Sequence, residues 1–94
     1  MARSFVYGTV RETQRTAIYV IRIRDERIDP IEAGDIAERM REKMLARGET
    51  AAEVVVVEGA AQETLRLHGS PYAVTRVRAA MFNAAISWQP IELI

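Results

Sequence analysis

Ninety-four residues make one α+β-sized domain, 1–94, whose core can stand without a disulfide or a metal. Thirteen basic and thirteen acidic residues cancel, so nothing global points to nucleic acid or to an acidic lipid surface. Cysteine is absent, which excludes a disulfide framework, a thiolate metal site and thiol catalysis. Residues 1–4, Met1-Ala2-Arg3-Ser4, lack the apolar stretch of a secretory signal, and no apolar run approaches the ~20 residues of a membrane span. A cytoplasmic protein is expected.

Residues 4–11 read as a strand, because Phe5, Val6, Tyr7, Thr9 and Val10 all have high β propensity. Gly8 marks a bulge or the close approach of another backbone. A polar connection over 12–16 leads to a second strand over 17–24. It carries Tyr19, Ile21 and Ile23 on one face and Ile18, Val20, Arg22 and Arg24 on the other. The short connection makes a hairpin the simplest pairing.

A helix is expected over about 30–47. Asp29 is its cap, Pro30 its first residue, Glu32 a capping-box carboxylate and Gly48 its C-terminal stop. Ala33, Ile36, Ala37, Met40 and Met44 share its apolar face. Next comes Glu53–Glu58, the stretch around which the chain is organised. Four consecutive valines are β-branched, of strand length, and apolar on both faces, so both faces call for cover. Residues 63–68 alternate as a half-buried strand paired to the valines. Gly69-Ser70-Pro71 then caps a second helix over 71–83, with Val74, Val77, Ala80, Met81 and Ala84 facing inward. A last strand spans 86–93, and Pro90 confines it to an edge.

From residue 17 onward the order is β-α-β-β-α-β. The expected fold class is therefore α+β, a ferredoxin-like sheet with an additional N-terminal strand and two helices on one face. The extra strand competes for a place beside the first strand of that sheet. Either it goes to an outer edge or another subunit, or the last strand gives up its usual position. Two helices on one face would leave Ile18, Val20 and one valine pair exposed on the other. Val54, Val55, Val56 and Val57, with Ile18 and Val20, are thus the candidate dimer face, and a homodimer or higher homo-oligomer is expected.

Chemistry is sparse. The single histidine, His68, cannot build a multi-histidine metal site, and no metal or cofactor is expected. His68 and Ser70 beside a helix N-terminus, with Arg22 and Arg24, are candidate anion-binding residues. Tyr72, Phe82 and Trp88, joined by Met81 and Asn83, are candidate pocket residues. Glu53, Glu58 and Glu63 read as strand-edge charges. Arginines sharing an open face with Phe5 and Tyr7 would suit RNA or single-stranded DNA, but the sequence lacks the alternating aromatic signature of sheet-face RNA binders. The expected function is a small, non-catalytic, dimeric binding or interaction module. The alternative is a cofactor-independent small-molecule enzyme or ligand sensor of the dimeric α+β barrel type.

Overall fold

The computed structural model describes residues 4–23, 27–49, 53–59 and 64–93. Five strands and two helices follow one another as β1 (Phe5–Arg11), β2 (Ala17–Ile23), α1 (Pro30–Ala46), β3 (Glu53–Glu58), β4 (Arg66–His68), α2 (Pro71–Phe82) and β5 (Gln89–Ile91). The expected α+β class holds, with two helices and five strands in a sheet that is mixed, since β2 and β3 are parallel. Arg24 and Glu63, named above, lie outside the described residues.

The sheet runs β4-β3-β2-β1-β5. β1 and β2 form the expected hairpin, in a register that sets Gly8 opposite Val20 and Arg11 opposite Ala17. Thr13 makes the turn: its Oγ1 accepts from the backbone N–H groups of Arg15 and Thr16 at 3.1 and 3.0 Å. β2 and β3 are adjacent and parallel, with α1 as the crossover between them. This resembles the ferredoxin-like plan only in outline. The strand beside β2 is β3, where a split unit would place β4, and β1 fills the other side. The conflict over the extra strand is resolved by the last strand, which moves to the outer edge and pairs with β1. Pro90 is tolerated there because an edge strand can dispense with one N–H.

The helices cap themselves as read. The Asp29 carboxylate accepts from Glu32 N at 2.8 Å, and Pro30 opens α1. Gly48 takes φ +78, a left-handed conformation that suits glycine at a helix stop. Ser70 caps α2 by accepting from Ala73 N at 3.3 Å.

The two helices do not share a face. Ala33, Ile36, Met40 and Met44 of α1 pack on Tyr19, Ile21, Ile23, Val54 and Val56. Ala73 and Val77 of α2 pack on Ile18, Val20, Val55 and Val57, with Leu65 and Leu67 beside them. The expected two-on-one arrangement is therefore corrected to helix, sheet, helix. The reason lies in the connections. α1 takes one face as the β2–β3 crossover, while the chain after β4 must travel from one sheet edge to the other. It does so across the remaining apolar face, where α2 buries side chains worth roughly 1.5–3 kcal/mol each. Leu65 and Leu67 lie on the α2 side of the sheet, away from Tyr19 and Ile21. The pairing of Leu67 with Val57 carries them there.

The candidate dimer face is corrected by the same finding. Ile18, Val20 and all four valines are buried within the single chain, none more than 5% exposed. The surface count that called for a partner fails, because the chain shelters its own sheet on both sides. A barrel built from two sheets also needs an uncovered sheet face, and both faces here carry a helix. Among the described residues no helix is long and apolar enough to cross a membrane.

At the other end of α1, the Tyr19 hydroxyl donates to Glu49 Oε2 at 2.5 Å. Burial first, then this carboxylate, push the Tyr19 phenol up from its ordinary 10 to about 12. A raised pKa means that the folded state holds the proton more tightly. Its contribution is complete below pH 10 and is lost as pH rises toward 12. In urea titrations between pH 9 and 12, wild type should lose stability over that window, and Tyr19→Phe should lose less.

Candidate functional site

A cavity of about 290 Å³ opens on the α2 side of the sheet, lined by Arg22, Leu65, Met81, Ala84, Ile86 and Trp88. It is more enclosed than the depressions beside Lys43, Arg15 and Tyr72. Each lining residue is brought there by a distinct feature of the chain. Arg22 continues the Ile18–Val20 side of β2 and lies between Val6 on β1 and Val57 on β3. Leu65 enters just before β4. Met81 and Ala84 close the C-terminal end of α2. Ile86 and Trp88 lie on the extended segment that carries the chain to β5.

That segment crosses the sheet over Gly8. A Cβ built on Gly8 would meet Ile86 Cγ2 at 2.2 Å and the Ser87 carbonyl oxygen at 3.1 Å. Of the two meanings read from this glycine, close approach of another backbone is the one observed. Ala84 ends α2 with φ +51. Its neighbour Ala85 donates to Ala80 O at 2.9 Å, and Ala84 N donates to Met81 O at 3.1 Å, the bonds of a left-handed helix stop. An L side chain is strained there. Ala84→Gly should raise stability by about 0.5–1 kcal/mol in urea unfolding, after allowance for the greater freedom of glycine in the unfolded chain.

The electrostatics of the cavity rest on Arg22. Its Cζ stands over the Trp88 ring, 5.9 Å from the centroid, within cation–π range. Its Nε is buried and has no hydrogen-bond partner among the described residues. No carboxylate is among the described residues that line the cavity. An unpaired buried donor costs about 1–3 kcal/mol, more when it belongs to a charged group.

The structure brings some of the expected site residues together and separates others. Arg22 from the anion set and Trp88 with Met81 from the pocket set share one cavity. Tyr72 and Phe82 do not join them, being 62% and 81% exposed. Tyr72 stands at the opposite end of α2, where its hydroxyl donates to Glu12 Oε2 at 3.1 Å. Arg76 Nε donates to Glu12 Oε1 at 2.9 Å, and this bond, aided by Tyr72 and opposed by burial, holds the Glu12 carboxyl below its usual range. Asn83 caps the exposed end of α2.

His68 and Ser70 diverge. Ser70 Oγ donates to Glu53 Oε1 at 2.9 Å on the α2 side. His68 pairs with Val56 and so faces α1, where its Nε2 lies 3.6 Å from Glu58 Oε2. The anion pair read from their closeness in sequence does not form. Glu58 was read as an edge charge and is in fact buried, 1% exposed. Its Oε2 accepts from Ile28 N, pinning the approach to α1, and Arg66 Nε lies 3.6 Å from Oε1. A sequence signal existed: an arginine and a histidine, Arg66 and His68, on the strand hairpinned to that carboxylate.

Arg22 does not share a sheet face with the aromatics that were expected beside it on a nucleic-acid platform. Phe5 and Tyr7 pack against the α1-side core, whereas Arg22 faces α2. Among the described residues no group of three or more acidic, histidine or cysteine side chains is placed to hold a metal ion. Comparison of the chain with protein-family models, with curated proteins and with solved structures finds no match.

Proposed function

We propose that the protein is a small, non-catalytic binding module whose ligand is a small, largely apolar molecule seated between α2 and the sheet. The observation that carries this is the cavity itself, about 290 Å³, walled by Leu65, Met81, Ala84, Ile86 and the face of Trp88. Apolar walls with one polar group are the usual make-up of a small-molecule site, and this volume is at the lower end of such sites. Arg22 is the one titratable group among the described lining residues, and an arginine does not give up its proton under ordinary conditions. That supports binding over acid–base catalysis. The reading needs no second copy of the chain, since the sheet faces that called for one are already covered.

The test uses the only tryptophan of the chain as its reporter. A panel of small aromatic and branched-chain acids, amides and amines is screened by thermal shift and by Trp88 fluorescence. Binders should raise the melting temperature, because a ligand bound only by the folded form adds stability, and should change the emission of Trp88. A panel in which no compound moves either signal would reduce the cavity to a packing defect and end the proposal.

A further inference from the structure

We infer that the cavity selects a monocarboxylate with an aromatic or branched apolar body, and that Arg22 is the residue that reads its charge. This inference rests on the binding reading above. A guanidinium presents Nε–H and one Nη–H side by side, spaced to meet both oxygens of a carboxylate. The Arg22 guanidinium lies over the Trp88 ring, with Cζ 5.9 Å from its centroid, which holds the cation beside the cavity without using up its hydrogen-bond donors. Nε is buried and has no partner among the described residues, and the Arg22 side chain lines a cavity whose described lining offers no carboxylate of its own.

The fold has no need of an arginine at this position. Ile18 and Val20 precede it on the same side of β2, and Val6 and Val57 flank it on the neighbouring strands. Another aliphatic residue would continue that apolar surface without burying an unpaired donor. The arginine therefore weakens the empty protein, and an arriving anion is the partner that removes the penalty. The charge balance narrows the class further. One cation in an apolar pocket neutralises a monoanion. A phosphate dianion would leave negative charge buried and uncompensated, and an amine would be repelled. The described side chains of the walls are mostly apolar and supply contact for a hydrocarbon body.

The experiment compares phenylacetate, 4-methylpentanoate and indole-3-acetate with their primary amides, and phenylacetate with phenyl phosphate. Affinities are read by Trp88 fluorescence and by calorimetry, on wild type, Arg22→Gln and Arg22→Met. In wild type the acids should bind at least about tenfold more tightly than their amides, the worth of a hydrogen bond to a charged group, and more tightly than phenyl phosphate. In both variants that preference should vanish while the amides still bind. Arg22→Met should melt no lower than wild type, which separates a recognition role from a structural one. Acids and amides bound equally well by wild type would overturn the inference and leave the cavity reading standing. Tighter binding of phenyl phosphate would overturn the carboxylate class. No binding of any probe to any form would overturn both readings.

Discussion

Gly8→Ala is expected to lower stability by about 1–3 kcal/mol, and Gly8→Val by more. The new Cβ would lie 2.2 Å from Ile86 Cγ2, well inside contact, and 3.1 Å from the carbonyl oxygen of Ser87. The methyl of Ile86 can turn aside, but Ile86 is itself buried in the α2-side core, and the oxygen behind it is backbone. The segment bearing Trp88 must therefore lift from the sheet. Any gain in strand propensity from replacing glycine is smaller than this displacement. Urea unfolding measures the loss. Trp88 emission in the folded variant should shift toward that of a more exposed indole. A variant with wild-type stability and unchanged emission would show that the segment does not press on β1 as described.

Met40→Ala should cost about 2–5 kcal/mol, a large share of the ~5–15 kcal/mol that holds a domain of this kind together. Met40 has no exposed surface and sits at the middle of α1 against the sheet. α1 bridges two parallel strands at the centre of the sheet, so a void beneath it loosens the β2–α1–β3 unit as a whole. A control at Phe82, which is 81% exposed on α2, should change stability by no more than about 0.5 kcal/mol when replaced by alanine. Similar losses at the two positions would contradict the layered packing.

Local signals in this chain were legible where the backbone alone decides them. Asp29-Pro30 and Ser70-Pro71 capped helices because an acceptor followed by proline satisfies a helix start whatever surrounds it. The demand of the valines for cover on both faces was read correctly, and the source of that cover was not. Periodicity shows that Val55 wants an apolar neighbour and is silent on whether α2 or a second chain supplies it. The answer depended on where β5 ends up, a pairing between residues more than eighty positions apart.

The cavity was half legible for a similar reason. Trp88 was named for its size and Arg22 for its charge, yet their meeting needs Gly8, Ile86 and the stop at Ala84 to align. Tyr72 and Phe82 misled because an aromatic on a helix promises a pocket only when its side of the helix faces inward. Glu58 misled because its position at a strand end looked solvated. The hydrogen bond from Ile28 N that holds it inside comes from a residue thirty positions earlier.

The pairing of Phe5 with Ile91 has a consequence for how this unit can be carried. The start of β1 and the end of β5 lie side by side on neighbouring strands at one end of the sheet. A unit of that geometry can be spliced into a surface loop of an unrelated host with short tethers and little distortion of either partner.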